Sequence, residues 1–517
     1  MIAQVEGTRR WLPGRAFWLG ALVADLILLF FLSQVHWLAL ALALLAVATG
    51  FLLHVEWLLA FLLLGMPFLA PLPLDENAFT LILVLLRALF VAGWWVALRR
   101  EAGAVALGFG ARRVSAAACL RRLLRDPITI TVLLLALWVW IGLGWSPAPR
   151  YGNSKTTALF LGNLFLFAAP FLLWMRWTSP LALDRFLRAA IVLGTIFAAF
   201  GIASAAGFAE QLSFGALVRV QLITRERLAW LGVSQIWTAR MLAVWLVLVL
   251  WGAQRRLVRP ALAVLLVLVA LFLIARTGSR GPLAALLLAP VSLLLLPRAR
   301  LRRPPGRWRR LLPVAVPSAI LAAFLIVTLL PEQQRTALVA GLLRGPIGMA
   351  LSASDLGEGA TEALGVRLAQ DPSTAHRMHL ARRSLATLPG ALPWGAGTGA
   401  FPMLLFLRDF RLYPHNIFAE LLIENGWPGL LLFLALVLWV WRACWQLARR
   451  TPIGRWLFLL FAMALLNAQV SGDLGTNEWI WLWAGLAGGM RAAHDRERSV
   501  VGGPWLAEAS GHRPKRG

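Results

Sequence analysis

Long apolar runs recur along the whole chain, separated by short stretches in which arginine, proline and glycine collect. A run of roughly 17–25 apolar residues is what a helix rising 1.5 Å per residue needs to cross a bilayer. The pattern predicts spans near 16–33, 35–54, 56–71, 78–98, 128–146, 157–175, 186–206, 239–253, 261–275, 282–297, 311–330, 417–441, 456–470 and 478–491. The expected fold class is therefore an all-α polytopic membrane protein with about 12–14 transmembrane helices. A closed barrel would need short alternating strands joined by turns, which long Leu/Ala/Val/Trp blocks do not supply.

Composition agrees: 60% of the residues are hydrophobic and only 14% are charged, with a mean hydropathy of +0.74. The net charge of +27 does not point to nucleic acid, because the arginines sit in short runs at the ends of apolar spans, as the positive-inside rule expects. That rule places 99–126, 254–260, 298–310, 442–455 and both termini in the cytoplasm, and an even number of spans separates them each time. The segments 71–77, 147–156, 207–237, 276–281, 331–416 and 471–477 then fall on the outer side. Lys155 and Lys515 are the only lysines, so the basicity is almost wholly arginine. Cys119 and Cys444 lie beside cytoplasmic segments, and no disulfide is expected. Arg9, Arg10 and Arg15 precede an apolar run without a small-residue cleavage site, which predicts a retained helix.

Four regions follow: transmembrane helices 1 to about 11 over 1–330, an outer loop subdomain over 331–416, the C-terminal transmembrane helices over 417–491, and a cytoplasmic tail over 492–517. The 331–416 segment is too long for a plain connection. Asp371-Pro372-Ser373-Thr374 predicts a helix over 374–388 that ends near Pro389-Gly390. The glycine-rich turn from Pro393 to Phe401 allows close backbone approach, and without a surrounding βαβ unit it is not a nucleotide fingerprint.

Candidate chemistry concentrates on the outer side. The stretch from Tyr413 to Gly429 carries His415, Asn416, Glu420 and Glu424 into an apolar run, and the last three are spaced by four on one helix face. A charge at a helix centre in hydrocarbon costs about 2.5–3.5 kcal/mol on insertion scales, so such groups tend to serve a purpose. His415 beside the outer subdomain suits a general base, since an imidazole accepts a hydroxyl proton near neutral pH. For Glu420 and Glu424 the plainer reading is pairing with arginines of neighbouring helices. Arg276 and Arg280 lie in an outer turn, against the usual preference of arginine for the cytoplasmic side. A guanidinium fork there fits the oxygens of a lipid diphosphate, with a salt bridge to Glu420, Glu424 or Asp473, or snorkelling to headgroups, as the alternative. The outer segment from Arg219 to Arg240, with Arg225 and Arg227, reads as an interfacial helix over 207–231 facing headgroups. His376 and His379 lack a carboxylate at zinc-protease spacing, and no metal or cofactor is predicted. Gly472-Asp473 and Asn477-Glu478 could bind sugar hydroxyls or cap helices, with capping the default.

Ser279-Arg280-Gly281, then Pro393-x-Gly395-x-Gly397 with Phe401, then His415-Asn416 with Glu420, Glu424, Gly426 and Gly429 resemble the O-antigen ligase and polymerase superfamily of bacterial envelope glycosyltransferases. The resemblance is best from about 270 to 430, and Gln235-Ile236-Trp237 stands where family members often show a Pro-Asn pair. It implies a GT-C-like enzyme of the bacterial inner membrane, with a large periplasmic loop and an active site facing the periplasm. The donor would be a glycan on undecaprenyl diphosphate and the acceptor a sugar hydroxyl, that of lipid A-core in the ligases. His415 would be the base, while Arg280, Arg276, Arg225 and Arg227 would hold the diphosphate without a metal, supported by Asn416, Glu420 and Glu424. O-antigen or exopolysaccharide polymerases and protein O-oligosaccharyltransferases share these motifs. A lipid-linked-sugar flippase would show related halves and polar groups near the midplane, whereas here no internal repeat is evident and the polar groups gather at one face. Membrane lipids are expected partners and nucleic acid is not.

Overall fold

The computed structural model describes residues 55–64, 87, 91–92, 116–176, 180–205, 234–296, 380, 383, 386–388, 390–449 and 451–501. Among them every regular element is helical: α1 (Val55–Leu64), α2 (Ala116–Arg125), α3 (Pro127–Ile141), α4 (Pro149–Thr157), α5 (Leu164–Arg176), α6 (Pro180–Ala205), α7 (Gln235–Gln254), α8 (Pro260–Thr277), α9 (Arg280–Ser292), α10 (Phe401–Phe406), α11 (Ile417–Ala448), α12 (Ile453–Ala468) and α13 (Glu478–Val501). A π-turn over Ala158–Asn163 joins α4 to α5.

Among the described residues, six stretches are long and apolar enough to cross a membrane: Pro127–Trp145, Pro149–Leu173, Ala182–Ala203, Gln235–Gln254, Pro260–Thr277 and Ile417–Ala448. Each overlies an apolar run that predicts a span. The ends follow from local chemistry. Asp126 caps α3, its carboxylate accepting the Ile128 N–H at 2.9 Å, with Pro127 in the first turn where its missing N–H costs nothing. Helix α8 stops because Gly278 turns left-handed at φ 64°, and α9 starts two residues later.

Helices α3 and α11 pack along each other, as do α5 and α13, α9 and α12, and α7 with α6 and α8. In α13, Gly485 and Gly489 repeat at the four-residue spacing that lets two helix backbones approach. A Cβ on Gly489 would come within 2.8 Å of Phe171 Cα, so α5 lies directly on the glycine stripe. Trp245, Trp251, Trp481 and Trp483 fill the interior, while Ile130, Leu133 and Leu137 of α3 and Leu431, Leu434 and Leu438 of α11 are exposed. An apolar exterior beside an apolar core is what a lipid-facing surface requires.

Two predicted boundaries shift. The segment 147–156, predicted on the outer side, is mostly helix, and α4 with its π-turn carries the predicted 157–175 span back to Pro149. The reason is tertiary: Asp409, far along the chain, accepts the N–H groups of Arg150 at 2.8 Å and Tyr151 at 3.0 Å and so caps α4. The helix predicted over 374–388 is described only at Leu380, Arg383 and 386–388, all helical, and Gly390 and Ala391 are helical as well. The segment 331–379, with His376 and His379, lies outside the described residues.

Candidate functional site

The apolar run from 417 to 441 is not one uninterrupted helix. Inside α11, Gly426 takes φ 64° and ψ −162°, and Pro428 follows without an N–H. Carbonyls that an intact helix would satisfy are released, and a second segment takes them. Ala396 N–H donates to Ile423 O at 2.8 Å and Gly397 N–H to Glu424 O at 3.0 Å, while Trp427 N–H donates to Pro393 O at 2.9 Å. The Trp138 indole donates to Asn425 O at 2.7 Å. The glycine-rich turn is thus the complement of the break. Gly397 sits at φ 101°, and a Cβ there would lie 2.5 Å from Ser146 Cα, so only glycine fits between α11 and the end of α3.

This turn closes over a buried cation. Lys155 Nζ, from α4, lies 2.8 Å from Glu420 Oε1 and 2.6 Å from Glu424 Oε2, with about 1% of each side chain exposed. Gly399 N–H donates to Glu424 Oε2 at 2.8 Å, and Leu474 N–H to Glu420 Oε1 at 3.0 Å. The two glutamates are one helical turn apart and share a face, so one ammonium reaches both. Their partner is this lysine, not the arginine of a neighbouring helix that the sequence suggested.

The turn after α12 forms the next layer. Asp473 Oδ2 accepts the Tyr151 hydroxyl at 2.8 Å, and Oδ1 accepts the Thr476 N–H at 2.8 Å and hydroxyl at 2.7 Å. Burial works against the charge of Asp473, but Lys155, the Thr476 hydroxyl, Arg411 and the Tyr151 hydroxyl together hold its carboxyl below the usual carboxylate range. Asp473 does cap its own turn, as expected, and it also ties that turn to α4.

His415 precedes the N-cap of α11. Asn416 is the N-cap, its side chain accepting Ala419 N–H at 3.0 Å, and His415 itself adopts φ 60°. A left-handed non-glycine residue is uncommon, and histidine is among the few that tolerate it. The imidazole is half-buried and its ring centre lies 4.6 Å from that of Tyr413. Arg280 opens α9 and is half-buried, while Arg276 on the last turn of α8 is exposed. A Cβ on Gly281 would come within 2.6 Å of Val470 Cγ2, so the start of α9 abuts the same 470–477 turn that carries Asp473.

Residues from 147–156, 331–416 and 471–477, all predicted on the outer side, therefore meet around one turn, with Gly281 of 276–281 against Val470 just before it. Arg225 and Arg227 lie outside the described residues. Arg240, the last arginine of the segment read as facing headgroups, is instead buried in α7. Its guanidinium donates to Asn467 O at 2.9 Å, Ser471 O at 2.7 Å and Asn477 Oδ1 at 3.3 Å, taking up carbonyls at the end of α12. Sequence reasoning missed Lys155, Tyr151, Arg411 and Asp409. The available signal was rarity, since the chain has only two tyrosines, Tyr151 and Tyr413, and one lysine before its tail.

Residues 265–434 match a family model described as O-Antigen ligase. The matched stretch takes in Arg276, Arg280, the glycine-rich turn, His415 and both glutamates that hold Lys155. No curated protein matches the chain.

Proposed function

Since residues 265–434 match a family model described as O-Antigen ligase, we propose that this multi-pass membrane protein is a glycan-transfer enzyme of the O-antigen ligase superfamily that moves a glycan from undecaprenyl diphosphate to a sugar hydroxyl of lipid A-core. The reaction takes place on the periplasmic face of the bacterial inner membrane. The observation that carries the assignment of roles is the engagement of both glutamates by Lys155 at 2.8 and 2.6 Å. Carboxylates held in a buried ion pair are poor proton acceptors for a substrate, and the half-buried imidazole of His415 is the group on this face suited to the task.

His415 accepts the proton of the acceptor hydroxyl as its oxygen attacks the anomeric carbon. The bond from that carbon to the diphosphate oxygen breaks on the opposite side, so the centre inverts and undecaprenyl diphosphate leaves. Negative charge grows on the leaving oxygen, where Arg280, joined by Arg276, supplies a guanidinium fork. Asn416 fixes the helix start that presents the histidine.

Purified protein given undecaprenyl-diphosphate-linked O-antigen and lipid A-core is expected to release undecaprenyl diphosphate and form ligated product. His415→Ala should lower the rate by at least about 10²-fold, the contribution of general base catalysis. Transfer by His415→Ala at the wild-type rate would remove the assignment. Arg280→Lys should also be impaired, because an ammonium cannot reproduce the fork. Product growing on the lipid-linked glycan instead of lipid A-core would make the chain a polymerase of the same superfamily.

A further inference from the structure

The six residues before α11 read Arg411-Leu412-Tyr413-Pro414-His415-Asn416. Pro414 confines Tyr413 to extended backbone. In extended backbone alternate side chains share a side. Leu412 accordingly packs on a small apolar cluster of Leu380, Phe401 and Ile423, and Pro414 is buried. Arg411 and Tyr413 lie along the other side, and His415, in left-handed backbone, brings its ring against Tyr413. The Arg411 guanidinium lies 5.9 Å from the Tyr413 ring centre, and the Tyr413 and His415 rings are 4.6 Å apart at 59°. Both spacings fall within the ranges of favourable cation–π and aromatic contacts. Arg411 is tied in turn to Asp473, with Nε 3.5 Å from Oδ2, the oxygen that accepts the Tyr151 hydroxyl.

We infer that Tyr413 is a positioning residue for His415: its ring, backed by the Arg411 guanidinium that Asp473 anchors, sets the plane and reach of the imidazole. A histidine at a helix entrance has two side-chain torsions to fix before its nitrogen lies within about 2.6–3.2 Å of a substrate proton. The cap by Asn416 fixes backbone only. The ring contact with Tyr413 restricts the side chain, and the buried Asp473 turn connects that contact to α4 and the Lys155 centre. The chain of contacts therefore runs from the half-buried Tyr413 ring through an exposed Arg411, with 59% of its side chain accessible, to an Asp473 that is only 4% exposed.

The inference rests on His415 being the base, and the two are separable in one set of assays. With undecaprenyl-diphosphate-linked O-antigen and lipid A-core as substrates, Tyr413→Leu should lower kcat about 10- to 100-fold with both KM values unchanged. That is the scale of a catalytic group misplaced by about 1 Å. Tyr413→Phe keeps the ring and should stay within about 3-fold of wild type on kcat, since the aromatic contact is retained. Arg411→Gln should lower kcat about 2- to 5-fold, the scale of a partly exposed cation–π contact. Wild-type kcat in Tyr413→Leu beside an inactive His415→Ala would overturn the positioning role and leave the base assignment standing. A loss confined to KM would also overturn it, because Tyr413 would then be a substrate contact. Wild-type activity in His415→Ala would overturn both. Should Tyr413→Leu not yield folded protein, Arg411→Gln decides: a wild-type kcat there overturns the inference.

Discussion

Lys155 and Arg255 each join a helix to a neighbour through carboxylate at nearly the same distance, yet in very different surroundings. Lys155 lies between Glu420 and Glu424 at 2.8 and 2.6 Å with about 1% of each side chain exposed. Arg255 meets Asp184 at 2.9 Å with 31% and 21% exposed. Distance alone would rate the contacts alike, but burial separates them. Taking the Lys155 group out of water carries a desolvation penalty that the ion pairs offset only with good geometry and further hydrogen bonds. Both are present, since Gly399 and Leu474 donate backbone N–H groups to the same oxygens. The Arg255 pair stays in contact with solvent, where exposed ion pairs contribute little. Side-chain type fits this division. A compact ammonium on a flexible stem reaches two carboxylates on consecutive turns, whereas a planar fork suits one.

The largest expected effect breaks the buried centre. Lys155→Met leaves two enclosed carboxylates without their cation, a change that costs about 3–5 kcal/mol. The expected outcome is loss of the monodisperse peak when the detergent-extracted protein is run on a sizing column. Adding Glu420→Gln and Glu424→Gln removes the uncompensated charge and should restore that peak. If Lys155→Met alone behaves as wild type, the contrast with Arg255 fails.

A smaller effect tests the cover over that centre. Gly397→Ala forces a Cβ to within 2.5 Å of Ser146 Cα at φ 101°, and residues in such conformations cost about 1–3 kcal/mol. The thermal midpoint should fall, whereas Gly144→Ala, with nothing within 4 Å of the added carbon, should leave it nearly unchanged. Equal midpoints for the two variants would mean that the turn does not bear on the α3–α11 contact.

Six of the predicted spans, those seen among the described residues, were readable because long apolar runs have one common solution in a bilayer. His415-Asn416 was readable as a helix entrance for a similar local reason, since Asn at a cap acts within three residues. The break in α11 was half-readable. Gly426 and Pro428 announce a disturbed ladder, but the partner that takes the freed Glu424 carbonyl is Gly397, which no periodicity links to it. Lys155 was readable only as a rarity, one of two lysines, and its role was not. It sits in a polar stretch where a lysine raises no conflict, and the helix that carries it inward is capped by Asp409, 259 residues after Arg150. Partner identity at such separations is a property of the packed bundle.

The smallest expected effect comes from the other side of the comparison. Asp184→Asn removes the carboxylate from a pair in which the Arg255 guanidinium remains about a third exposed, so water replaces the lost partner. Exposed pairs of this kind contribute about 0.2–1 kcal/mol, and the thermal midpoint should move correspondingly little. Screening supplies a second readout: the gap between Asp184→Asn and wild type should narrow as salt rises toward 1 M, where the Debye length is about 3 Å. The buried Lys155 centre lies beyond the reach of mobile ions, so the deficit of Lys155→Met should persist over the same range. A salt-independent deficit in Asp184→Asn would mean that this pair, too, acts as an enclosed contact, and that exposure does not divide the two groups.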